Sequence, residues 1–185
     1  MDIVAHSWWT GAAVVTAKRA TEIRPRLGWS VFWGIFPDLM GFGPGIIAGF
    51  FVLLTQGPGT GPAHHLLPRV HLGLPLYAAA HSLITFLCVF GVVSLLARRV
   101  VFPMLGWLLH ILIDIPTHSE QFYATRFLWP VSDVHVDGIA WWTPWFWAAT
   151  YVALAVVYAL MWRRGWLSPV RPPKPKEAPS AAVRL

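Results

Sequence analysis

Residues 74–99, LPLYAAAHSLITFLCVFGVVSLLARR, decide how the chain is read. From Leu74 to Ala97 they give about 24 residues of helix-compatible apolar sequence, long enough at ~1.5 Å per residue to cross a ~30 Å hydrocarbon core, and Arg98 and Arg99 stop the run. Interrupting this span are His81 and Ser82, two polar residues at membrane depth. The rest of the 185-residue chain agrees with a lipid solvent: 56% of it is hydrophobic and 12% charged, and the mean hydropathy is +0.56. A single core of this size cannot hide so much apolar surface.

Working outward, Pro144 to Trp162 forms a second span, flanked by Trp141, Trp142, Trp145 and Trp147 on one side and by Arg163 and Arg164 on the other, the usual interfacial markers. Val100 to Ile115 reads as a shorter helix, and Ile3 to Ala17 as another. Trp29 to Leu54 is long enough to span, but Pro37, Asp38 and the glycine-rich run Gly41 to Gly45 predict a broken helix with a site near the break. The expectation is an all-α integral membrane bundle of about five segments, one broken at Pro37-Asp38. Residues 1–165 form the helical domain, and 166–185 a disordered, basic, proline-rich cytoplasmic tail.

The net charge of +6 is not spread as a nucleic-acid surface would be. Except for Arg69 and Arg126, the basic residues fall into three clusters abutting apolar segments: Lys18, Arg19, Arg24 and Arg26; Arg98 and Arg99; and Arg163 onward. Such charges set topology, placing the N-terminus outside, the clusters and tail in the cytoplasm, and Glu120, Asp133 and Asp137 outside. The partner expected is the bilayer, with no nucleic acid. The N-terminal residues lack a signal-peptide pattern, so the chain is treated as mature. Cys88 is the only cysteine, which excludes internal disulfides and leaves His, Asp and Glu as candidate metal donors.

Ionisable residues within apolar segments are costly unless paired or metal-bound, and five stand out: His6, Asp38, His81, His110 and Asp114. In GWLLHILIDIPTH (106–118), His110 and Asp114 are four apart and share a helix face. An imidazole and a carboxylate so placed can share a metal, and can equally staple helices together. Under the expected topology His6, His81, His110 and Asp114 lie in the outer halves of different helices and can converge on one cavity as metal ligands. Asp38 counts somewhat deeper, as a further ligand or general base. Pro116 ends its helix, turning Thr117 and His118 over the cavity mouth, with Thr117 and Ser82 supporting the ligands and His118 a candidate proton shuttle. His64, His65 and His71 form a weaker outer-loop cluster. No phosphate loop or dinucleotide fingerprint is present: GPGTGP (57–62) is too proline-rich to open a helix on a phosphate.

These residues resemble those of the bacterial inner-membrane-associated metal-dependent hydrolases that include the LexA-binding membrane protein family. The resemblance covers most of residues 1–132. It is carried by His6 in HSWWTG, Pro37-Asp38, His81-Ser82, the His-x3-Asp-x2-Thr motif of His110, Asp114 and Thr117, and Leu128 to Pro130. It implies a metal site and hydrolase chemistry on a phosphoester or lipid-like substrate, with zinc the favoured ion and manganese the alternative. The His-x3-Asp helix is also similar to that of zinc-dependent phospholipases C. Met40 stands where the family often has a second acid, and Leu76 and Tyr77 where it often has His-Arg, which favours one ion over two. Two non-hydrolytic readings remain open: a scaffold or regulatory protein with a structural His/Asp cluster, and an ion or proton carrier.

Overall fold

The computed structural model describes residues 1–56, 73–121 and 123–168, and among these all regular structure is helical. The helices are α1 (Ile3–Ala20), α2 (Leu27–Gln56), α3 (Gly73–Ala80), α4 (Leu83–Leu96), α5 (Leu105–Thr117) and α6 (Pro144–Arg163), with a 3-10 turn at Phe102–Met104 leading into α5. The His64, His65 and His71 cluster, the GPGTGP stretch and tail residues 169–185 lie outside the described residues.

Among the described residues, two helices are long and apolar enough to cross a membrane, Leu27–Ile47 within α2 and Pro144–Arg163. Their outward faces are strongly apolar: Ile46, Ile47, Phe50, Phe51, Val152 and Trp162 are all exposed. Soluble monomers rarely leave contiguous faces of that kind uncovered.

The break falls elsewhere than the sequence suggested. α2 runs unbroken through Pro37, Asp38 and Pro44. Each proline removes one N–H from the ladder, a loss that helices packed among neighbours tolerate. The Leu74 to Ala97 run, expected as one span, is instead divided at His81-Ser82 into α3 and α4. Ser82 takes an extended conformation (φ −99°, ψ 129°), and its hydroxyl caps α4 by accepting from the Ile84 and Thr85 amides. The polar groups freed by the break are satisfied inside the protein. Leu83 N–H donates to the Phe127 carbonyl at 2.9 Å, the Ser82 hydroxyl to the Trp129 carbonyl, and the Trp107 indole to the Ala80 carbonyl at 2.6 Å. With His81 and Ser82 fully buried, non-helical backbone is affordable there.

α2 is the central helix because one of its faces is nearly free of bulk. Ser30, Gly34, Asp38 and Gly41 recur at spacings of four, four and three, and so share a face. A Cβ on Gly34 would stand 2.3 Å from Thr10 Oγ1 of α1, and one on Gly41 would stand 3.0 Å from the Tyr77 ring of α3. Facing Ser30, Gly106 of α5 comes so near that its Cβ would lie 2.3 Å from the Ser30 carbonyl oxygen. Small residues at such crossings let backbones approach closely. Asp38 is thereby set in the middle of three neighbours. On another side of α5, Phe86, Met104, Trp107 and Ile111 form an apolar core with Trp33 and Phe36 packed against it.

The basic clusters gather at one end. The Arg19 guanidinium, in the last turn of α1, donates to the Gly165, Trp166 and Ser168 carbonyls just beyond α6. Arg24, Arg26 and Arg99 line a common cleft with Trp29 and Trp33.

Candidate metal centre

Four elements deliver the five ionisable candidates to one place: α1 brings His6, α2 Asp38, the α3–α4 break His81, and α5 His110 and Asp114. All three histidines and Asp114 are essentially inaccessible, while Asp38 keeps about 8% of its surface exposed. One donor atom from each of Asp38, His81, His110 and Asp114 lies within 4.8 Å of the others.

Backbone carbonyls determine which imidazole nitrogens face inward. His81 Nδ1 lies 2.9 Å from the Tyr77 carbonyl and His110 Nδ1 2.7 Å from the Gly34 carbonyl. A carbonyl only accepts, so each Nδ1 carries its proton and donates, which leaves each neutral ring with its Nε2 lone pair directed at the cluster. This is how metal-ligating histidines are ordinarily held. The two Nε2 atoms stand 3.1 Å apart. Asp114 Oδ2 is 3.0 Å from His110 Nε2 and 3.4 Å from His81 Nε2, and Asp38 Oδ1 is 3.7 and 3.8 Å from the same two atoms.

These distances fit a bound cation. A tetrahedron built on bonds of roughly 2.0–2.1 Å has donor–donor edges of about 3.3 Å, and the five edges above run from 3.0 to 3.8 Å. Asp114 Oδ2 is buried with no hydrogen-bond partner. Two lone pairs and two carboxylate oxygens converging without a hydrogen-bond donor leave a deficit of positive charge that a metal ion can fill.

The other oxygen of Asp114 is heavily used. Oδ1 accepts from His6 Nε2 at 2.9 Å and from the Met1 amine, with Thr117 Oγ1 and His118 Nδ1 each 3.4 Å away. His6 stacks on His110 with ring centroids 3.7 Å apart. His6, read from sequence as a ligand, therefore stands beside the four-donor group and holds Asp114, and Asp38 completes that group. Thr117 Oγ1 stands 3.4 Å from Asp114 Oδ1 and donates to the Ile113 carbonyl at 3.0 Å. The hydrogen bonds of the Ser82 hydroxyl go to backbone groups: it caps α4 and clamps the Trp129 loop.

Loops close over this end of the bundle. Gly138, Ile139 and Trp141 donate backbone N–H groups to the His118, Pro116 and Thr117 carbonyls at 2.9–3.1 Å, satisfying the end of α5. Tyr77, whose ring stacks on His81 with centroids 3.9 Å apart, donates its hydroxyl to the Tyr123 carbonyl at 2.8 Å. It forms one wall of a polar pocket of about 400 Å³ shared with Glu120, Tyr123, Arg126 and His135. From sequence, Tyr77 stands out only as a departure from the His-Arg pair of the family the chain resembles. Its position four before His81 is the available signal, since that spacing presents its carbonyl to the imidazole. In that pocket, hydrogen bonds to the Asp133 carbonyl and to Glu120 raise the His135 pKa above its ordinary value.

The capping role of Ser82 is testable. Ser82→Ala should lower stability by about 1 kcal/mol through loss of the cap and loosen the 127–130 loop in hydrogen exchange, while metal stoichiometry stays at the wild-type level. Loss of metal with normal melting would instead put the hydroxyl in the centre.

Comparison of the chain with family models, with curated proteins and with solved structures finds no match.

Proposed function

We propose that the protein is a membrane-embedded, metal-dependent hydrolase, in keeping with the inner-membrane family its motifs resemble, and that it cleaves a phosphoester of a lipid-like substrate. The observation that carries this reading is the set of buried donors on Asp38, His81, His110 and Asp114, with their 3.0–3.8 Å edges and the orphaned Asp114 oxygen. Two imidazoles and two carboxylates suit zinc, with manganese the alternative. The two long apolar helices and the exposed apolar faces support a bilayer location. The grouping of Arg24, Arg26 and Arg99 in one cleft, with Arg19 at the end of α6, supports a multi-pass chain with its basic end cytoplasmic and its N-terminus outside.

Held by His81, His110 and Asp114, a divalent ion would supply Lewis-acid polarisation of the phosphoryl group and, with Asp38 leaving the fourth position open, an acidified water. The chain supplies the rest. Asp38, which alone of the four donors keeps measurable exposure, would act as the base, taking a proton from the attacking water as its oxygen bonds phosphorus. The P–O bond to the alcohol then breaks, and the leaving oxygen takes up the proton that Asp38 received, with His118, whose Nδ1 stands 3.4 Å from Asp114 Oδ1, the candidate to shuttle it. His81 and His110 are oriented by their carbonyl partners, and burial excludes competing water.

The test is metal content of detergent-purified protein by mass spectrometry, with hydrolysis of bis(p-nitrophenyl) phosphate measured alongside. Close to one zinc or manganese per chain is expected, and Asp38→Ala should lower turnover by at least 100-fold while helix content holds. A specific observation favours a second reading: the Nε2–Nε2 approach of 3.1 Å also suits a proton shared between His81 and His110, as in a purely structural cluster. Wild-type protein that holds no metal after growth with metals supplied would establish that reading and sink the hydrolase.

A further inference from the structure

We infer that the groove between α1, α5 and α6 seats one acyl chain of the substrate, with the head of that lipid at the Asp114 end. The inference rests on the hydrolase reading above and gives its substrate class: a phosphoester carrying a long alkyl or acyl chain.

The groove has a volume of about 1000 Å³, at the top of the range for small-molecule sites. α6 leans on α1 through Leu154, Tyr151 and Tyr158 and stands away from Leu109, Leu112 and Pro116 of α5, which leaves the groove open along its length. From Phe146 to Met161 it follows α6 for about 22 Å at ~1.5 Å per residue. That exceeds the ~15 Å half-thickness of a bilayer core, so a full-length chain fits. No side chain of its lining is ionisable, and alanines 12, 13, 17, 149 and 153 keep it wide.

The polarity of its two ends gives the direction. Met1, Pro116 and Thr117 close one end. Thr117 is also a neighbour of Asp114 Oδ1 at 3.4 Å, and the Met1 amine pairs with that same oxygen. The groove and the donor cluster thus share a wall one residue thick. At the other end lie Ala20, Thr21 and Met161, near the basic residues. A lipid whose head reaches the centre would run its tail toward the bilayer midplane. That is the disposition of an outer-leaflet lipid in the proposed topology. An isolated apolar furrow would be filled by any bilayer chain; the wall it shares with the donor cluster is what assigns this one to the substrate's chain.

The probe is hexadecylphosphocholine carrying a diazirine near the end of its chain, added to full-length protein in a steroid-based detergent that has no alkyl chain of its own. Photolabel should map to the far end of the groove, around Ala17, Ala20, Val157 and Met161, and fall at least tenfold with excess unlabelled hexadecylphosphocholine but not with the butyl analogue. Each buried methylene contributes up to roughly fourfold. Ala153→Trp should reduce labelling at least fivefold, and Ala149→Trp independently. Val156→Trp, on the exposed face of the same helix, should leave it unchanged, and matched melting curves guard against misfolding. Label spread evenly over all outward faces and insensitive to competition would mean ordinary bilayer solvation and overturn the proposal, as would α6–α6 cross-linked dimers with an unlabelled groove. Specific labelling without hydrolysis of any chain-bearing phosphoester would leave the groove standing and sink the hydrolase. Equal hydrolysis of butyl and hexadecyl substrates, unaffected by Ala153→Trp, would do the reverse.

Discussion

Asp114→Ala is expected to empty the centre of metal and to destabilise the protein by about 3–5 kcal/mol, the range for breaking a buried charged network. Both effects trace to the two oxygens of one inaccessible carboxylate. Oδ2 faces the lone pairs of His81 and His110, and without it the donor set loses half its negative charge in a medium where charge is poorly screened. Oδ1 is the acceptor for His6 and the Met1 amine, both buried, which alanine would leave unpartnered. Asp114→Asn separates the two effects. It keeps an acceptor of nearly the same shape and loses the charge, so its melting temperature should fall less than that of alanine while metal is lost to the same extent. Wild type should melt higher with added zinc, by the equivalent of ~2.7 kcal/mol at a hundredfold excess over Kd, and neither variant should respond. Metal per chain after dialysis and thermal unfolding with and without zinc check all of this. An asparagine variant holding metal at wild-type stoichiometry would remove Asp114 from the ligand set.

The site was more legible in the sequence than the path of the chain that builds it. His110 and Asp114 announce themselves through a spacing of four in an apolar helix, and His6, His81 and Asp38 through the cost of a polar residue at membrane depth. Their convergence follows from counting depth along each helix under the expected topology, which needs no knowledge of how the helices cross. The break could not be located in the same way. Pro37, Asp38 and the glycines after them carry every sequence mark of an interruption, yet α2 passes straight through. Gly34 and Gly41 are there for packing, as Thr10 and Tyr77 show by filling the space their side chains would need. His81-Ser82 carries a fainter mark, because a serine cap in an apolar run looks like one tolerated hydroxyl. What opens the helix there is distant in sequence: the Phe127 and Trp129 carbonyls and the Trp107 indole, which take up the freed groups. The role of His6 beside the four donors, and of Asp38 within them, also depends on these crossings.

The crossing at Gly106 supplies the second large effect. Gly106→Ala is expected to cost about 1–3 kcal/mol, the usual range for overpacking, and to weaken metal binding by 10- to 100-fold, as loss of a ligand's supporting contact does. The added methyl would stand 2.3 Å from the Ser30 carbonyl oxygen and 2.9 Å from the Gly34 nitrogen. Both are backbone atoms of α2, so no rotamer can relieve the clash and the two helices must separate. His110 lies one turn along α5 from Gly106, and its Nδ1 reaches the Gly34 carbonyl at 2.7 Å. Separation would stretch that bond and draw His110 away from Asp38, loosening the donor set from both helices at once. Gly91→Ala is the control: it sits within α4 with nothing inside 4 Å of the new carbon, and alanine should stabilise the helix by roughly 0.5–1 kcal/mol. Thermal melting and zinc titration of the two variants side by side distinguish steric separation from a general intolerance of substitution. Wild-type melting and affinity in Gly106→Ala would mean that the α2–α5 crossing is not what holds His110 in register with Asp38.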